Sequence, residues 1–261
     1  MLDCRSDNIY SSDEYLAKNP SLDSEDSAWK IDHIIKLIDK LFIGSLLNNE
    51  EIVLLDVGGG AGIILRGVTE YIVNKYNIAV KKITLDLSPG ILSVQIANNP
   101  DVYKALNEDI CKTSLDNKTV DICLMIDVLE HIPEPEKALK ELCRISKYAI
   151  FKVPLENNLY MKIRDFILRG KTREYFVRQW GHINSFNTEK LIILINKNGG
   201  SVLTSYYTNV FQYFLSSKYY VNKMNIKDKV YNLLASVTFK LSPRVCSYIF
   251  SDYLMILVNY V

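Results

Sequence analysis

Ile52-Val53-Leu54-Leu55-Asp56-Val57-Gly58-Gly59-Gly60-Ala61-Gly62 decides the reading of this chain. A continuous apolar run ends in an acid and then in a cluster of glycines. Strands buried on both faces read as such unbroken runs. Glycine lets the backbone turn sharply and approach a ligand closely. A helix-like stretch follows to about Lys75. Strand, glycine turn and helix together form the opening of a nucleotide-type α/β unit. A phosphate loop would need Gly-Lys-Ser/Thr at its end, where Ile63-Ile64 stand instead. The GxGxxG fingerprint would need glycine at position 63, which is Ile63.

Outward from this loop the same rhythm repeats. Ile83–Leu87 reads as a second strand, and Ser88-Pro89 opens a helix with serine as N-cap and proline in the first turn. Val102–Asp109 reads as a third strand, Val120–Ile126 as a fourth and Tyr148–Val153 as a fifth, with a helix over Pro133–Ser146. Strands alternating with helices imply a parallel sheet. Trp29–Leu47 has apolar residues at helical spacing. After Pro154 the rhythm changes to a polar stretch, 155–182, rich in Lys, Arg and aromatics. A helix over Thr188–Lys197 follows, then a strand over Ser201–Thr208, a helical insertion over 211–247 and a last strand over Asp252–Val261. The organisation expected is a lid and helix at 1–48, a Rossmann-like core at 49–154, a cap at 155–200 and C-terminal strands at 201–261, all in one domain.

The 261 residues are 48% hydrophobic and 23% charged, which excludes a disordered chain and a coiled coil. A formal net charge of +1 argues against nucleic-acid binding as the main activity. Five scattered cysteines (Cys4, Cys111, Cys123, Cys143, Cys246) lack a CxxC pair and suggest neither a disulfide framework nor a zinc site. The polar N-terminus has no apolar h-region. Val245–Val261 is broken by Asp252 and short for a membrane span. A cytoplasmic protein is expected.

The Asp56-x-Gly58-x-Gly60-x-Gly62 spacing resembles the class I S-adenosylmethionine-dependent methyltransferases. Four further blocks look like a subgroup of bacterial small-molecule methyltransferases: Glu25-Asp26-Ser27-Ala28-Trp29-Lys30, Asp127-Val128-Leu129-Glu130-His131, Val153-Pro154-Leu155 and Gly181-His182-Ile183-Asn184-x-Phe186. The chain departs from that subgroup at Ala28, where proline is usual, and at Asn184, where a second histidine is usual. The resemblance implies a seven-stranded, mostly parallel sheet of order 3-2-1-4-5-7-6, with the last strand antiparallel. It also implies S-adenosylmethionine as cofactor and S-adenosylhomocysteine as product. Asp86 would hold the ribose with Leu87 also at the cofactor, Asp109 and Ile110 the adenine, and Asp127 would stand at the methionine end. Three acids at the ends of successive strands lie where open α/β sheets bind ligands. Trp29 is expected over the cofactor.

Methyl transfer needs a nucleophile held in line, and a hydroxyl or an ammonium also needs a base. His131 and His182 are the catalytic candidates, since histidine accepts protons near neutrality. His33 reads as structural. No His/Asp/Glu spacing suggests a metal. Tyr10, Tyr15, Tyr160, Arg164, Arg178 and His182 are the candidate acceptor contacts. Residues 161–180 hold six basic side chains against two acids, which suggests an anionic acceptor such as a phospho-amine or an activated sugar. N-methylation is favoured over O-methylation because the sequence shows no histidine base oriented by a carboxylate. The rival readings are a cofactor-binding scaffold without turnover, and a protein or nucleic-acid methyltransferase. Oligomeric state is left open, a dimer included.

Overall fold

The computed structural model describes residues 16–17, 19–22, 24–47 and 49–261. Helix α1 (Ser27–Ile43) precedes β1 (Glu51–Val57), α2 (Ile63–Tyr76), β2 (Ala79–Leu85), α3 (Pro89–Asn98), β3 (Lys104–Leu106) and β4 (Val120–Ile126). Helix α4 (Pro135–Ile145), β5 (Ser146–Pro154), α5 (Leu159–Ile167), α6 (Lys171–Trp180), α7 (Thr188–Lys197) and β6 (Ser201–Tyr207) follow. Four helices, α8 (Val210–Ser216), α9 (Lys218–Lys223), α10 (Ile226–Leu241) and α11 (Pro243–Ile249), separate β6 from β7 (Tyr253–Asn259).

The seven strands form one sheet of order β3-β2-β1-β4-β5-β7-β6. The neighbours from β3 to β5 are parallel, and β7 runs antiparallel to both β5 and β6. The sheet order expected from the resemblance is the one observed. Strand β4 is buried at every position, as its unbroken apolar run requires. One face of the sheet packs Leu139, Leu142, Leu191 and Ile195 from α4 and α7. The other packs Ile34, Leu37, Ile38 and Leu41 from α1 with Leu65, Val68 and Ile72 from α2. Each such side chain contributes roughly 1.5–3 kcal/mol when fully buried.

Several boundaries shift for identifiable reasons. Strand β2 starts at Ala79, before the expected Ile83. Lys81 and Lys82 hid its beginning, yet Lys82 is buried and its ammonium pairs with Asp101 and Asn99. Strand β3 is shorter than Val102–Asp109, so Asp109 lies in a loop beyond it. Ser88 caps α3 as expected, its hydroxyl accepting from the Ile91 amide at 3.1 Å. Asp252, which broke the apolar C-terminal run, is buried and accepts from Thr208 Oγ1 and from the Asn209, Val210 and Tyr253 amides. It ties the start of α8 to β7. Cys111, Cys123, Cys143 and Cys246 are free thiols.

Candidate functional site

A cavity of 230 Å³ opens at the C-terminal ends of β1, β2 and β4. Its floor is the glycine loop. Gly58, Gly60 and Gly62 all have positive φ. Gly59 is required for a different reason: a Cβ there would lie 2.1 Å from Asp56 Oδ2. The Asp56 side chain thus folds back beneath the loop, and its Oδ2 is buried with no hydrogen-bond partner among the described residues. Burial, with repulsion from Asp86, raises its pKa to about 7. Gly62 caps α2 in the left-handed conformation, and a Cβ there would meet Asn99 Nδ2 at 2.7 Å. It therefore serves the turn and lies outside the cavity wall.

Asp86, Leu87, Asp109, Ile110 and Asp127 all line this cavity. Asp86 accepts from the Ser88 amide and from Gln95 Nε2, both at 3.0 Å. Burial raises its pKa to about 6 against those bonds. With the Leu87 amide as a further donor, the carboxylate still has lone-pair capacity for a ligand. Asp109 Oδ1 accepts from the Cys111 amide at 2.8 Å, which fixes its loop.

Asp127 sits just past β4 with φ +57. Its carboxylate receives Lys152 Nζ at 2.5 and 2.7 Å and Lys30 Nζ at 3.1 Å. Burial alone would raise its pKa, but the two ammonium groups hold it at about 2. Lys30 also pairs with Asp26 at 2.8 Å, one helical turn back. Lys152 rests over the Tyr253 ring at 3.4 Å, a cation–π contact. The Asp26-Ser27-x-x-Lys30 block is thereby locked to the end of β4. Leu22, Ser27 and Lys30 close one wall of the cavity. Trp29 does not line it: the indole stacks on Tyr213 at 4.8 Å and meets His33 edge-on. Helical geometry turns adjacent residues to different faces, so Lys30 takes the place expected for Trp29. His33 is buried, its Nδ1 3.2 Å from the Tyr206 hydroxyl. Tyr10 and Tyr15 lie outside the described residues.

His131 lines the cavity, and its ring packs edge-on against His182 at 4.9 Å. Its Nδ1 lies 3.1 Å from the Gly181 carbonyl. A carbonyl can only accept, so Nδ1 carries the hydrogen. Burial and the neighbouring His182 lower its pKa to about 4, so the ring is neutral at neutral pH. His182 Nδ1 lies 2.6 Å from Glu156 Oε1. This is a carboxylate-oriented histidine, and it removes the argument that favoured nitrogen over oxygen. Glu156 lines a second cavity of 140 Å³ beneath α5 and α6, with Lys162, Asp165 and Arg173. The order in space is first cavity, His131, His182, Glu156, second cavity. Asn184 braces this junction, its side-chain amide donating to the Ile132 carbonyl at 2.7 Å and its backbone amide to the Glu130 carbonyl.

Ligating atoms of Glu130, His131 and His182 lie within 4.8 Å of one another, a convergence that the spacing in the sequence did not suggest. Glu130 is buried, and burial with repulsion from Asp127 raises its pKa well above the usual range.

The expected acceptor contacts are placed unevenly. Tyr160 packs on Tyr231 at 4.9 Å. Arg164 is exposed, and Arg178 pairs with Glu174 on the surface. Neither arginine lines either of the two cavities. Both point outward because α5 and α6 turn other positions, Lys162 and Arg173, toward the second cavity. Lys30, Lys152 and Glu156 were missed. Lys152 carried a signal, as the one charge within the apolar run Tyr148–Val153.

Residues 55–148 match a family model described as a methyltransferase domain. Among proteins of curated function, none matches the sequence. The fold is similar to that of geranyl diphosphate C-methyltransferase from Streptomyces coelicolor, solved with Mg²⁺, geranyl diphosphate and S-adenosyl-L-homocysteine. The identity is 11%, with coverage of 100% of this chain and 88% of that one and a TM-score of 0.57. A provisionally assigned sarcosine dimethylglycine methyltransferase from Galdieria sulphuraria is 14% identical, covering 86% and 83% of the chains at a TM-score of 0.58. The [4+2]-cyclase SpnF is 13% identical, covering 86% and 79% at a TM-score of 0.52. At such identities the likeness is one of fold.

Proposed function

We propose that this chain transfers a methyl group from S-adenosylmethionine to a nitrogen or oxygen of a small polar acceptor. The observation that carries the reading is the junction of two cavities at His131, His182 and Glu156. The first cavity suits the cofactor. Its glycine floor admits close approach, Asp86 has lone pairs to spare for ribose hydroxyls, and the buried Asp56 Oδ2 lacks a donor. Leu87 and Ile110 offer apolar walls for adenine beside Asp109. Bound there, S-adenosylmethionine supplies a methyl group already activated by its sulfonium.

The chain's own residues do the rest. Glu156 holds the His182 Nδ1–H, which leaves Nε2 as the basic atom of that ring. His182 takes the proton of an acceptor hydroxyl or ammonium there. A hydroxyl gains most from such a base, so oxygen now stands level with nitrogen. Lys162 and Arg173 line the second cavity opposite Glu156 and Asp165, and the two cations can meet a phosphate or carboxylate on the acceptor, such as a phospho-amine or an activated sugar.

The test has two parts. Calorimetry should show S-adenosylmethionine binding that Asp86→Ala weakens by about ten- to a hundredfold, as loss of charge-assisted hydrogen bonds of about 1.5–3 kcal/mol implies. Acceptors presented in pairs, with and without their anionic group, should release S-adenosylhomocysteine and gain methyl mass only in the charged form. Cofactor binding with no turnover on any acceptor would favour a scaffold. Unchanged affinity in Asp86→Ala would reject the placement.

A further inference from the structure

Helix α10 is apolar on two sides. Its inward side packs Tyr231, Ala235 and Phe239 against α8 and α11, beside the buried Asn232 and Ser236. Ser236 Oγ donates to Gln212 Oε1 at 3.1 Å across that contact. Its solvent side carries Ile226, Val230, Leu233, Leu234, Val237 and Leu241, all exposed. At about 100° per residue these six fall within an arc of roughly 100°. A surface helix ordinarily turns such a stripe to the core. Neighbouring helices extend the apolar face: α11 packs on α10 and touches α5. Val245 and Tyr248 of α11 are exposed, as are Ile163, Phe166 and Ile167 of α5, with Phe166 at 86%. Exposed apolar side chains gathered on helices that pack on one another mark a surface built to be covered.

Charge identifies the covering. Residues 159–178 and 218–248, which carry these helices, hold twelve lysines and arginines against three acids, in a chain of formal net charge +1. Lys227, Lys229 and Lys240 flank the stripe on α10 itself. A second copy docking by twofold symmetry would set this charge against its own image, which is repulsive. An anionic lipid surface complements both properties: apolar side chains enter the acyl boundary while the flanking lysines meet headgroups. We propose that α5, α10 and α11 dock this protein on the surface of an anionic bilayer. The contact lies on the membrane and not across it, since no helix among the described residues is long and apolar enough to span. Met161, Lys162 and Asp165 of α5 also line the second cavity, so the docked face and that cavity share a helix.

The inference stands apart from the methyl-transfer reading, and its test needs no acceptor. The full chain is sedimented at low salt with vesicles of phosphatidylcholine alone, or of equal parts phosphatidylcholine and phosphatidylglycerol. It should pellet with the anionic vesicles and stay in solution with the neutral ones. Leu234→Glu with Leu241→Glu should weaken that binding at least about tenfold. The thermal midpoint should stay at the wild-type value, because both side chains are exposed. Lys227→Glu with Lys229→Glu should weaken it as well, which keeps the test valid if the leucine variant misfolds. Wild-type protein that ignores anionic vesicles overturns the proposal. So does a wild-type dimer that binds no vesicle and that the leucine variant converts to monomer.

Discussion

His182→Ala should lower kcat by about 10²–10⁴-fold, the usual contribution of a positioned proton acceptor, while S-adenosylmethionine affinity stays at the wild-type value. The expectation rests on the 2.6 Å contact between His182 Nδ1 and Glu156 Oε1 and on the site of that pair between the two cavities. Glu156→Gln separates orientation from charge. Glutamine keeps the shape and can still accept from Nδ1–H, but it no longer stabilises the imidazolium that forms when Nε2 takes a proton. Its kcat should therefore fall by less than that of His182→Ala. The measurement is steady-state kinetics across pH with calorimetry of cofactor binding alongside. Wild-type kcat in both variants would remove the dyad from the mechanism.

Asp127→Asn should destabilise the fold by about 3–5 kcal/mol, the cost of removing one partner from a buried ion pair. Two ammonium groups, Lys30 and Lys152, converge on this carboxylate, and Lys152 is almost fully buried. Asparagine would leave them facing each other with only Asp26 nearby. At about 2–4 °C per kcal/mol for a chain of this size, the thermal midpoint should drop by roughly 10 °C. The effect has a definite pH dependence. The Asp127 pKa is depressed from the ordinary 3.8 to about 2. Its stabilising contribution is thus fully present above about pH 4 and lost as pH falls through about 2. Wild type and variant should converge in acid and differ most at neutral pH. Equal midpoints at pH 7 would mean that the cluster contributes nothing to stability. Lys152→Met, which leaves Asp127 paired with Lys30, should cost less.

The sequence disclosed those features that a local pattern encodes. The Asp56–Gly62 turn was legible because positive φ and close approach are demands on single residues. The strand run Val120–Ile126 and the capped start of α3 were legible for similar reasons. Strand β2 was clipped because Lys82 looks like a surface residue, and only the fold supplies its partners Asn99 and Asp101. Lys30 lines the cavity and its neighbour Trp29 does not: which side of α1 faces the cavity depends on where the sheet lies. The Glu156–His182 contact spans 26 residues and a change of element, so no spacing rule could have proposed it. Arg164 and Arg178 were chosen by composition, which counts charges but does not say which way each one points.

On the proposed methyl-transfer reading, the neighbouring buried acids Asp56 and Asp86 make cofactor capture a proton-exchange event. Before the cofactor arrives, their pKa values of about 7 and about 6 leave each partly protonated near neutrality. S-adenosylmethionine carries a net positive charge and presents hydroxyl donors, and both properties favour the ionised carboxylate. Binding must therefore expel protons into the solvent. Affinity should climb as pH rises from about 5.5 to 7.5 and level off beyond, since the free site then holds no proton left to release. The same acids weaken the unliganded fold as pH rises from about 4 through 7, because folding raises their pKa. Binding heats measured in buffers of different ionisation enthalpy would count the protons directly, and heats independent of the buffer at pH 6.5 would refute the coupling. A molecule built this way senses the acidity of its surroundings through its appetite for methyl donor, with no dedicated histidine switch.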